Sequence, residues 1–72
     1  MSDTATGVIA ALALIKGTKL EKCKRLQVNP TTLDRWRNGV GEPTEANLAR
    51  LARLAGVDQE WIRAGGRDIA ED

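Results

Sequence analysis

Apolar residues recur along this chain at three- and four-residue spacings. They fall in short blocks separated by Gly, Pro, Asn or Thr, which is the pattern of consecutive short helices. The first block predicts a helix from about Thr6 to Lys16. Val8, Leu12 and Ile15 share a face, with Ile9 and Ala11 beside them, and Gly17 follows as the stop. Ser2, the only serine, reads as part of a loose terminus. Thr18 opens the second helix, with Glu21 placed to reach back in a capping box. That helix runs from Lys19 to about Leu26, with Cys23 and Leu26 inward and Leu20 three residues before Cys23. Asn29 is a favoured N-cap and Pro30 is pre-set for a first helical position. The third helix is therefore Pro30 to about Asn38, closed by Gly39, with Leu33 and Trp36 facing inward.

A loop, Gly39-Val40-Gly41-Glu42-Pro43, leads to Thr44 as the cap of a fourth helix, Glu45 to Ala55. Leu48, Leu51, Ala52 and Ala55 form its stripe, Leu54 lies beside them, and Gly56 ends it. Asp58 caps a fifth helix with Glu60 in its first turn, where the helix dipole favours a carboxylate. Trp61 and Ile62 supply its apolar contacts and Gly65-Gly66 stops it. Strand signals are weak: no alternation is sustained, and Tyr and Phe are absent. The expected fold is all-α, a compact orthogonal bundle of five short helices in one domain over residues 1–66. Residues 67–72 read as a flexible tail or the start of a linker.

Composition narrows the function classes. A chain of 72 residues is one domain, near the lower limit of what folds unaided. The single cysteine, Cys23, excludes an intramolecular disulfide and a multi-cysteine metal cage, and the absence of His removes the commonest general base and zinc ligand. No catalytic residue, metal ligand or cofactor is expected, and the chain does not read as an enzyme with a small-molecule substrate. The longest apolar run, Val8 to Ile15, is eight residues, where a membrane span needs about 20. The chain reads as cytoplasmic, with no membrane partner.

Net charge is +1, but it is unevenly spread. Residues 16–37 hold seven Lys/Arg against two Asp/Glu, an excess of +5, while residues 38–72 hold four against seven. A basic centre beside an acidic end is the footprint of a polyanion binder; the duller reading is a solvated face with incidental lysines.

The basic centre coincides with the second and third helices, joined by about three residues, which is the layout of a helix-turn-helix. Cys23, Leu26, Val28, Leu33 and Trp36 would be its core. Thr31, Arg35 and Asn38 then stand on the bare opposite face, suited in size to a DNA major groove about 12 Å wide. Each residue has a plainer role beside it. Trp36 at this spacing is packing, Trp61 is core or a dimer contact, and Cys23 is a small buried hydrophobe. Arg35 reads as a base or phosphate contact, with pairing to Asp34 or Glu21 as the alternative. Asp34 has the chemistry to accept from cytosine N4, and otherwise discourages wrong sequences or supports Arg35. Lys22, Lys24 and Arg25 cannot all face DNA from one helix and read in part as a solvated face.

The stretch from Leu14 to Gly65 resembles the lambda-repressor-like helix-turn-helix domains of phage and bacterial regulators. The residues that carry the resemblance are Cys23 through Gly39, then Glu42-Pro43-Thr44, Leu48-Ala49-Arg50-Leu51-Ala52, Gly56 through Ile62, and Gly65. The resemblance implies that Lys19 touches phosphate and, in some members, a base-contacting neighbour, Thr31 and Arg35 read base edges, Asn38 meets phosphate and Thr32 adds a phosphate contact. The sequence departs from the family pattern in four places. Gln27 replaces the usual turn glycine, which places a non-glycine residue at positive φ. Lys22 and Gly17 stand where aliphatics are common, and Pro30 stands where a long polar reader is often found.

The function expected is sequence-specific binding of double-stranded DNA by a transcriptional regulator, a phage or bacterial repressor that occupies its operator as a homodimer. The alternative is a protein-interaction module, such as an antitoxin or adaptor, that uses the acidic end, Asp58 to Asp72, on a protein partner.

Overall fold

A serine sets where the chain begins to coil. In the computed structural model, which describes residues 2–66, Ser2 is the N-cap of α1 (Asp3–Leu14), and its hydroxyl accepts from the Ala5 N–H at 3.1 Å. The same hydroxyl donates to Glu42 Oε1 at 2.6 Å and ties the start of α1 to the loop before α4. The expectation of a loose Ser2 and a start at Thr6 is thereby corrected. The side-chain cap and Asp3 in the first turn start the helix three residues earlier. Its end also falls earlier than Lys16. Ile15 is an extended C-cap, and Gly17, at φ 115°, turns the chain after it.

The remaining helices are α2 (Lys19–Leu26), α3 (Pro30–Arg37), α4 (Glu45–Ala55) and α5 (Gln59–Arg63). Among the described residues the bundle is all-α with five helices, as the periodicity indicates. The Thr18 capping box on α2 and the Thr44 cap on α4 both form. Asn29 and Asp58 occupy the N-cap positions of α3 and α5, but neither side chain bonds its helix. The third helix ends one residue early, with Asn38 as its C-cap. Residues 67–72, the expected tail or linker, lie outside the described residues.

The Glu21 carboxylate accepts from the Thr18 N–H at 3.1 Å, and the Glu21 N–H donates to the Thr18 hydroxyl at 3.2 Å. Hydrogen bonding to Thr18, the backbone N–H first and the side chain second, holds the Glu21 carboxyl below its ordinary range, with Arg25 adding to the shift. A depressed acid contributes stability that is present above the unfolded-state pKa and lost as pH falls through the folded one. Urea midpoints of the wild type and Glu21→Gln, measured from neutral pH downward, are expected to differ by a constant amount above the usual carboxylate range. Below it they converge.

The core joins Val8, Ala11 and Leu12 of α1 and its C-cap Ile15 to Cys23 and Leu26 of α2, Leu33 and Trp36 of α3, Leu48, Leu51 and Ala52 of α4, and Ile62 of α5. Val28, in the α2–α3 turn, packs against this cluster while half-buried, as do Trp61, Leu54 and Ala55. Leu20 faces solvent, 65% exposed. The closest approach is between α1 and α5. A Cβ placed on Gly7 would fall 2.8 Å from the Ile62 Cα and inside the van der Waals shell of the Ile62 carbonyl oxygen.

Lys22 is the one charged residue in the interior among the described residues. It is 9% exposed, and its Nζ donates to the Leu12 carbonyl at 3.2 Å. The reading of Lys22 as part of a solvated face is corrected by this contact. The aliphatic stem replaces the apolar residue expected here, and the ammonium gives the Leu12 carbonyl a second hydrogen bond beside that from the Ile15 N–H, in the last turn of α1, where a cation is favoured. Lys22→Ala is expected to cost about 2 kcal/mol, because it removes both packing and a charge-assisted hydrogen bond. Lys22→Met keeps the stem and is expected to cost less; chemical denaturation of the two variants measures the split.

Candidate nucleic-acid interface

The stretch α2, Gln27-Val28-Asn29, α3 is a helix, a three-residue turn and a helix. The turn works by forcing one backbone. Gln27 takes the left-handed conformation, φ 57° and ψ 45°, and its N–H closes on the Cys23 and Lys24 carbonyls. The positive φ expected from the missing glycine is therefore adopted by glutamine, at a strain of about 1–2 kcal/mol. Val28 N–H then bonds the Cys23 carbonyl and turns the Val28 side chain back toward the core. Arg50 locks the turn from α4: its Nη1 donates to the Leu26 carbonyl and to Asn47 Oδ1, each at 3.1 Å. Arg50 was not singled out in the sequence. Its guanidinium supplies the orphan carbonyl at the end of α2, a tertiary role with no local signature.

On α3 the two sides differ sharply. Leu33 is 0% and Trp36 is 5% exposed, so both anchor the helix from behind. Thr31, Asp34, Arg35 and Asn38 stand at i, i+3, i+4 and i+7, a single stripe on the other side. Thr31, Arg35 and Asn38 are exposed; Asp34 and Thr32 are half-buried. Within the described residues the stripe is open at Thr31, Arg35 and Asn38 and partly covered at Asp34, where Lys19 of α2 reaches it. Thr32 and Arg35 also line a shallow cleft of about 250 Å³ with Trp36, Val40, Pro43 and Thr44, between α3 and the N-terminus of α4.

Lys19, from the first turn of α2, joins this surface. Its Nζ donates to Asp34 Oδ2 at 2.8 Å and lies 2.8 Å from Oδ1 in the same ion pair, with the two side chains 39% and 49% exposed. Asp34 therefore pairs with Lys19, not with Arg35, and the Glu21 carboxylate is taken by Thr18. Among the described residues Arg35 has no carboxylate partner and its guanidinium projects free. Lys24, Arg25 and Arg37 are exposed around the same two helices. The sequence-selected residues Lys19, Thr31, Thr32, Arg35 and Asn38 thus sit on α3 and the adjoining end of α2. Cys23, Leu26, Leu33 and Trp36 are buried behind them.

Among the described residues no cluster of three or more His, Cys, Asp or Glu is placed to hold a metal ion, and no helix is long and apolar enough to cross a membrane. Over 45 residues the chain is 36% identical to a Haemophilus influenzae protein described as an uncharacterized HTH-type transcriptional regulator. That relative is a helix-turn-helix protein by name. The match takes in 62% of this chain and 19% of the relative, so the chain spans about a fifth of that protein's length. No family model and no solved structure matches the chain.

Proposed function

We propose that this chain is the DNA-reading domain of a transcriptional regulator, with α3 entering the major groove of double-stranded DNA. The observation that carries the reading is the open polar stripe of Thr31, Arg35 and Asn38, with Asp34 beside it, held outward by the buried pair Leu33 and Trp36. Its setting supports it: residues 16–37 carry an excess of +5, and a helix-turn-helix regulator matches over 45 residues. Thr31 and Arg35 face the base edges. Thr32 and Asn38 lie where the backbone phosphates pass, and Lys19 adds a cation from α2. The turn and Arg50 fix the angle at which α3 is offered.

Occupying an operator and so excluding polymerase makes the regulator a repressor of the phage or bacterial type. The lambda-repressor-like arrangement is the closest fit to the order of turn, Trp-x-x-Gly and Pro loop. A module this small buries limited DNA surface, so two copies on half-sites about one helical turn apart provide the affinity. The role is binding, not catalysis, and it places the chain in the cytoplasm with the DNA it reads.

A gel-shift series across salt concentration tests the reading. Log K is expected to fall linearly against log salt, with a slope of about −0.9 for each phosphate that a Lys or Arg neutralises. A folded sample with no salt-sensitive affinity for duplex DNA would overturn it.

A further inference from the structure

The stripe on α3 holds a carboxylate along its α2 edge, which is an odd group to bring against phosphates. Alone, Asp34 would be repelled there. It is not alone, because Lys19 Nζ sits 2.8 Å from each of its oxygens, so the couple is neutral and both heads stay about half open to solvent. An ammonium has three N–H donors and a carboxylate about four lone-pair sites. One donor and one lone pair are used in the bond from Nζ to Oδ2, which leaves each head able to bond outward, the ammonium with two N–H groups.

We propose that Lys19 and Asp34 act together as one reader of a C·G base pair, Asp34 accepting from the cytosine N4 amino group and Lys19 donating to guanine O6 and N7. The proposal rests on the DNA-binding reading above and names what that surface recognises. In the major groove a C·G pair presents a donor on cytosine next to acceptors on guanine. The N4 and O6 atoms are themselves hydrogen-bonded to each other, so they lie about 2.9 Å apart. A protein donor and acceptor 2.8 Å apart match that edge in both chemistry and spacing. An A·T pair also offers an amino group beside a carbonyl. However, thymine adds a methyl against a charged couple, and guanine gives the ammonium two acceptors. The pair also changes what Lys19 does, from a contact with the sugar–phosphate backbone to one with a base.

Selection of bound duplexes from a random pool, run in parallel for the wild type, Asp34→Asn and Lys19→Met, tests the proposal. Asp34→Asn is isosteric and Lys19→Met keeps its stem, and thermal melts confirm folding. The wild type is expected to select one C·G pair per half-site by about tenfold to a hundredfold. Both variants are expected to lose most of that preference at the same base pair and keep the others. Identical selected sites in all three proteins overturn the proposal while leaving DNA binding intact. A uniform loss of affinity in Lys19→Met, with its selected sites unchanged, overturns it in the same way, because Lys19 is then a phosphate contact. A wild type that retains no DNA overturns this proposal and the DNA-binding reading together.

Discussion

Gly7→Ala is expected to lower stability by about 3 kcal/mol, although alanine is the better helix former. The two effects oppose each other. In an isolated helix the exchange would favour the helix by about 1 kcal/mol. In this bundle the added methyl would meet backbone, the Ile62 carbonyl and Cα, which cannot rotate away as a side-chain tip would. Relief requires α5 to move off α1, and overpacking of this kind costs about 1–3 kcal/mol or more. Ile62, 0% exposed, would lose its seat in the core with that movement. A domain of this size has only about 4–10 kcal/mol in total. Thermal unfolding should therefore show a fall of at least about 10 °C. Ala13→Ser, on the exposed side of the same helix, should stay within about 0.5 kcal/mol of the wild type. A Gly7→Ala protein that melts with the wild type would mean that α1 and α5 do not approach as described.

Arg35→Ala is expected to have the largest effect on recognition. The guanidinium is exposed, has no carboxylate partner among the described residues, and stands mid-stripe between Thr31 and Asn38. A bidentate arginine on guanine discriminates by about 1–3 kcal/mol. Its removal should weaken binding to the preferred site by up to about a hundredfold and flatten preference at one base pair. Binding to unrelated duplex should fall much less. Competition between preferred and unrelated DNA separates the two effects: an equal loss on both would make Arg35 a phosphate contact. Folding should be unaffected, since the side chain supports nothing in the core.

The parts of this molecule set by local chemistry were legible in the sequence. The Thr18-x-x-Glu21 box, the Thr44 cap, Gly56 and the Leu33/Trp36 spacing each act within a few residues, and all four took the expected form. Features set by tertiary contact were not. Ser2 looked like a loose end because its second partner, Glu42, is forty residues away in the chain. Lys22 carries a polar head that no periodicity argument puts inside; only the carbonyl of Leu12 explains it. Gly7 offered a signal that was passed over, since a glycine inside an apolar helical run marks either a break or a close neighbour. At the candidate site, the spacing placed Thr31, Arg35 and Asn38 on one open face, but it could not choose a partner for Asp34. That partner, Lys19, comes from another helix, and side-chain reach across a turn is not written in either segment.

The outward stripe of α3 is the surface proposed to meet DNA. Amide and arginine side-chain NMR signals followed during titration with a selected duplex test it most directly. The largest shifts are expected at Thr31, Asp34, Arg35, Asn38 and the first turn of α2, with the α1–α5 contact around Gly7 and the Trp61 indole unmoved. Shifts concentrated on α5 and Trp61, with α3 silent while DNA is bound, would contradict it.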